Sequence, residues 1–165
     1  MRSAALLALV AIACGRSSDP APADQPVPPP PAAPTTPASA AAMCALLTQA
    51  EAEAILGKSP AAPEPQPNGS CSYSSGEVMI ATLPREFGSA KEFTDFARAE
   101  VKRTNERAKM DVMSYEAVSL GDAAFYDGFS VHILRGGRVL TIVADKSRAL
   151  AVAEKALPRW KSTDG

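Results

Sequence analysis

A single histidine, His132, is all the imidazole in this 165-residue chain, and that scarcity removes most catalytic chemistry at once. Ser-His-Asp or Cys-His catalysis needs an imidazole near a nucleophile and an orienting carboxylate. Only the stretch around His132, with Asp122, Asp127 and Ser130 close in sequence, could supply them. Of the 3 cysteines no two form a Cys-x-x-Cys pair, the spacing a zinc knuckle or a dithiol redox couple would need. No glycine-rich loop runs into a phosphate-binding lysine, and no His-Glu-x-x-His is present. Charge is balanced: 17 Lys and Arg against 18 Asp and Glu leave a net charge of −1, with no footprint for nucleic acid. A hydrolase working with two carboxylates has Glu51, Glu53, Asp122 and Asp127 to draw on, but no spacing joins two of them. The expectation is a chain with no catalytic residues, no cofactor and no metal. A small hydrolase centred on His132 stays open as an alternative. Aromatics are also scarce, at 5%, so the core must lean on Val, Ile, Leu, Met and Ala.

What is present begins at the first residues. Met1-Arg2 is a short positive start, residues 4–12 are almost wholly apolar, and Ala11-Ile12-Ala13 places small residues before Cys14. That is the anatomy of an export signal with a cysteine at the first mature position. The apolar run is about half of the ~20 residues a membrane-spanning helix needs. The pattern resembles the lipobox of bacterial lipoproteins, with Ala11 where a larger aliphatic is usual. The resemblance implies that residues 1–13 are a signal peptide and that Cys14 is acylated, palmitate being a typical chain. Each buried methylene contributes about 0.8 kcal/mol, so several chains hold a protein stably on a bilayer. Gly15 in place of Asp implies, by the same resemblance, sorting to the outer membrane (periplasmic or surface side) rather than the inner one. A plain signal cut after Ala-x-Ala, leaving Cys14 as a free thiol, stays open.

Residues 14–42 read as a spacer. From Asp19 onward this stretch is almost entirely Pro, Ala, Thr and Ser, including Pro28-Pro29-Pro30-Pro31. It cannot bury enough apolar surface to offset its ordering entropy. Polyproline II structure at about 3.1 Å per residue would let roughly 24 residues reach ~70 Å. A proline-rich recognition motif is the other reading.

Residues 43–165 read as one α+β domain: a mostly antiparallel sheet with about three helices. Thr48-Gln49-Ala50-Glu51 is a capping box, and Gly57 is placed as the left-handed end of the helix it opens. Residues 70–73 and 77–83 alternate as strands around Ser74-Ser75-Gly76. Ser89-Ala90-Lys91-Glu92 is a second capping box, and Phe93, Phe96, Ala97, Val101 and Thr104 recur at helical spacing over residues 90–107. Strands follow at residues 115–119, 123–126, 130–135 and 138–144, the last two joined by Gly136-Gly137, where both turn positions want φ > 0. Apolar residues on both faces of 138–144 mark a central strand. Asp145 or Ser147 caps a final helix to Leu157, Pro158 ends it, and Trp160 folds back on the sheet. With Cys14 set aside for lipid, Cys44 and Cys71 are left to pair in an exported chain. That bond would constrain the unfolded chain by about 3–4 kcal/mol.

Cys44-Ala45-Leu46-Leu47-Thr48, Glu51-Ala52, Leu56-Gly57, Cys71-Ser72-Tyr73 and Leu120-Gly121-Asp122-Ala123-Ala124-Phe125 together resemble uncharacterised bacterial lipoprotein domains beginning Cys-x-Leu-Leu-Thr. The resemblance spans nearly the whole domain and implies an extracytoplasmic α+β module with a disulfide. No activity comes with it. Binding candidates are Arg98, Lys102, Arg103 and Arg107 on the second helix, Asp122 in its turn, and His132. Glu100 and Glu106 interleave with the basic residues as they would on a solvated helix face. The expectation is a monomeric, membrane-tethered module that binds an envelope protein. A structural or stress-related envelope component without a ligand is the alternative.

Overall fold

The computed structural model describes residues 40–59 and 62–161. The expected leader, Cys14 and the spacer up to Ser39 lie outside those residues. The order is α1 (Ala40–Cys44), α2 (Gln49–Leu56), β1 (Glu64–Pro65), β2 (Cys71–Tyr73), a 3-10 turn (Ser74–Gly76), β3 (Val78–Thr82), α3 (Ala90–Ala108), β4 (Glu116–Val118), β5 (Ala123–Tyr126), β6 (Ser130–Arg135), β7 (Arg138–Val143) and α4 (Lys146–Ala156). The strands form one sheet in the order β1-β2-β3-β7-β6-β5-β4, antiparallel at every pairing. This is the α+β, single-domain architecture expected, with β7 at its centre. No helix among the described residues is long and apolar enough to cross a membrane.

Local signals account for most of the elements. Thr48 and Glu51 form the reciprocal capping box, and Gly57 closes α2 at φ 70°. Ser89 accepts from the Glu92 amide as foreseen, but the Glu92 carboxylate accepts from Gly88 rather than from Ser89 itself. Asp145, not Ser147, caps α4, through the Arg148 amide. Gly136 and Gly137 turn the β6–β7 hairpin at φ 55° and 77°.

Two elements have no counterpart in the sequence reading. Helix α1 makes four helices where three were expected, and it starts three residues before the anticipated boundary at Met43. Its alanines favour helix, yet they continue the composition of the spacer, so only burial of Met43 and the bond at Cys44 set them apart. Strand β1 has two exposed residues, one of them Pro65, and carries no period to detect.

The sheet has two unlike faces. One is covered by α1, α2 and α4. Val78, Ile80, Val131, Ile133, Leu140 and Ile142 meet Ala149, Val152, Ala153 and Ala156 there, all at most 1% exposed, with Trp160 closing the end. Small residues along α4 let its axis come close to the sheet. Cys44 and Cys71 form the expected disulfide, with Cα atoms 5.0 Å apart across 27 residues. The Tyr73 hydroxyl donates to the carbonyls of Leu47 (2.9 Å) and Cys44 (3.0 Å), and burial pushes its pKa up to about 12. Arg159, beyond α4, grips Glu51 through both carboxylate oxygens, at 2.6 and 2.8 Å. The opposite face carries α3 and an aromatic cluster of Phe87, Phe93 and Phe125 with Leu134 and Val139.

Candidate functional site

The only histidine sits on the α3 face, and the β5–β6 turn prepares its partner. Asp127 accepts at Oδ1 from the amides of Phe129 (2.8 Å) and Ser130 (2.7 Å), an arrangement that a short acidic side chain makes readily in a tight turn. Gly128, at φ 106°, supplies the left-handed residue this turn requires. Oδ2 is thereby aimed at His132 Nε2, 3.0 Å away. The register then pairs His132 with Thr141 on β7, whose Oγ1 lies 3.1 Å from Nδ1. An ionised carboxylate only accepts, so Nε2 carries the proton in the neutral ring and Nδ1 accepts from the threonine hydroxyl. Burial raises the Asp127 pKa, but hydrogen bonds from His132 and the two amides outweigh it and hold the carboxyl below its ordinary range.

One face of the imidazole is also taken. Phe125, its partner on β5, stacks on it at 4.7 Å and 21°. Tyr115 stacks on Phe125 at 5.2 Å and 17°, and the Arg98 guanidinium lies 4.3 Å above the Tyr115 ring. A continuous column therefore runs from α3 through β5 to Asp127. Such stacked pairs contribute about 0.5–1.5 kcal/mol beyond their area, and an exposed cation over a ring about 0.5–1.

Carboxylate, imidazole and hydroxyl stand in the order of a nucleophilic triad, with Thr141 in the nucleophile's place. The chemistry does not follow from the order. The His132 side chain is 15% exposed and that of Asp127 8%, and Thr141 is buried. A reacting carbonyl would have to reach a hydroxyl buried on the central strand and turned across it to the imidazole on β6. His132 is thus a mostly buried strand residue.

The other sequence candidates have separate places. Asp122 accepts from the Gly136 amide at 2.7 Å and so holds the β6–β7 turn, not a ligand. Its neighbour Gly121 must be glycine: a Cβ there would stand 2.4 Å from the Leu134 carbonyl oxygen. Lys102 pairs with Glu106 at 3.8 Å and Arg103 with Glu100. Arg107 Nε donates to the Arg103 carbonyl at 3.4 Å. Glu100, Arg103, Glu106 and Arg107 line one shallow surface groove of mixed charge, as a solvated helix face would. Among the candidates, Arg98 and His132 are joined by the ring column, and Arg103 and Arg107 by their contact along the helix. Sequence reasoning missed Tyr115, Phe125 and Thr141 because their contacts depend on register. It also missed Asn105, which pins the loop after α3 through Val112 and Met113. No group of three or more His, Cys, Asp or Glu among the described residues is placed to hold a metal ion. No family model matches this chain, nor does any curated protein or solved structure match it significantly.

Proposed function

We propose that this protein is a lipid-anchored envelope lipoprotein whose α+β domain is a monomeric, non-catalytic binding module, akin to the Cys-x-Leu-Leu-Thr domains it resembles. The observation that carries the reading is the Cys44–Cys71 disulfide. Such bonds persist where thiols are oxidised and are rare in cytosolic proteins, which agrees with an export signal ending at Cys14 and with an outer-membrane address. The burial of Thr141, the hydroxyl beside the imidazole, supports binding over catalysis. Intact-mass analysis of the native protein tests the anchor: residues 1–13 should be missing and acyl mass should sit on Cys14. An unmodified terminus, or an uncut leader, refutes it. Crosslinking in the native envelope should capture a partner protein.

A second reading, an envelope component with no discrete ligand, draws on one observation. Arg98, Lys102, Arg103, Arg107, Asp122 and His132 all make intramolecular contacts. Crosslinking that recovers no specific partner would favour it.

A further inference from the structure

The α3 face is not uniform. Helix α3 packs over β5, towards one end of the sheet. At the other end, β1, β2 and β3 frame an open groove of about 510 Å³ lined by Glu64, Gln66, Asn68, Ser72, Ser75 and Met79, among others. Ser72 and Met79 are register partners on β2 and β3, so they form its floor. Among the described residues the lining holds no lysine or arginine, and its one carboxylate is Glu64. An anion would find no counter-charge, and a metal ion would find too few hard oxygens. A lipid chain would meet as much polar as apolar surface.

The walls of the groove are built to present those groups. Asn68 Oδ1 accepts from the amide (3.1 Å) and hydroxyl (2.7 Å) of Ser70, which leaves its NH₂ outside that turn. Gln66 donates to the Glu64 carbonyl at 3.3 Å, which orients its amide and keeps Oε1 free of that bond. On the far rim stands Ser75, at φ 57°, between Ser74 at 49° and Gly76 at 98° in the chain. Two serines in the left-handed region are strained, and such strain gathers at ligand sites.

From this we infer that the groove is a carbohydrate site, taking a neutral N-acetylated hexosamine oligomer of the kind found in envelope glycans. Paired amides and a carboxylate suit vicinal hydroxyls, and the Met79 thioether offers a soft apolar floor for a sugar C–H face or an acetyl methyl. A peptide strand is the less suited occupant, because the adjoining edge, β1, is two residues long and Pro65 has no amide to donate. The assignment gives the proposed binding module its ligand class and so rests on that reading.

The test is titration of the full-length mature protein with the tetramer of N-acetylglucosamine, followed by amide chemical shifts. Shifts should cluster at residues 64–75 and Met79. Glu64→Ala and Gln66→Ala, both at sites whose loss leaves the core intact, should each weaken binding about tenfold, the worth of one good hydrogen bond. Lys102→Ala on α3 should bind as the parent does. The assignment is overturned by unmoved amides, by shifts elsewhere, by binding indifferent to both groove variants, or by an uncharged tetrapeptide moving those amides when the sugar does not. A silent tetramer with a native lipoprotein that still crosslinks to an envelope protein removes the groove assignment alone. An unacylated terminus with the tetramer bound removes the anchor alone.

Discussion

The two faces of the sheet are held by different physics. The face under α1, α2 and α4 is aliphatic and dry, its strands meeting alanines and a valine on α4 at near-zero exposure, with a disulfide across its rim. The face under α3 is held by rings and hydrogen bonds and is covered over only part of its width. Burial of aliphatic surface is non-directional, so the first face contributes stability without demanding one geometry. The second face is geometrically specified: Asp127, His132, Thr141, Phe125, Tyr115 and Arg98 each have one productive position. Stability is concentrated on one side, and selectivity and open surface on the other.

That contrast predicts a gradient of mutational effects. Ile142→Ala, in the aliphatic face, should cost about 2–5 kcal/mol by emptying a packed site, read from denaturant unfolding at neutral pH. A cost below 1 kcal/mol would mean that face is not the main store of stability. Removal of the staple by Cys44→Ser with Cys71→Ser should cost about 3–4 kcal/mol in the loop-entropy account. The parent under reducing conditions should show the same loss.

On the α3 face, His132→Ala should cost about 1–3 kcal/mol, because it strips Asp127 and Thr141 of a partner. It should leave binding at the sheet's far groove unchanged; coupled losses would mean the two ends act as a unit. The smallest effect belongs to the rim. The Arg159 guanidinium, with the Thr48 amide, holds the Glu51 carboxyl at about 2, below its value near 4.3 in an unfolded chain. Its folded pKa is lowered, so its contribution is complete above the unfolded value and is lost as pH falls from about 4.5 towards 2. Partial exposure of the pair limits this to about 1 kcal/mol or less. Asp127 is shifted in the same direction, so Glu51→Gln should flatten only part of the acid limb. Adding Asp127→Asn should flatten more of it, while Asp145, held low by Ser147 and the Arg148 amide, keeps a remainder.

Much of the fold was legible because its signals are local. Thr48 with Glu51, Ser89 with Glu92, and Gly136-Gly137 act within four residues of themselves. The stripe on α3 needs only the helical period. Pairing of Cys44 with Cys71 followed from counting. The site was far less legible. His132 and Asp127 are five residues apart, so their proximity could be suspected, but Thr141 reaches the imidazole only because β6 and β7 pair in one register. Asp122 sits in a Gly-Asp turn of its own yet holds one formed 14 residues later. The residues of the groove floor lie in strands whose alternation says which share a face, not which lack a helix above them.

From sequence alone came the three longer helices, the hairpin turns, the antiparallel class and the cysteine pair, because capping, backbone conformation and periodicity operate over one or two turns of chain. Tertiary structure alone decided which face α3 covers, which rings stack into a column and where the polar groove opens. Those outcomes depend on strand order and register, which bring together residues dozens of positions apart, and no local preference encodes them.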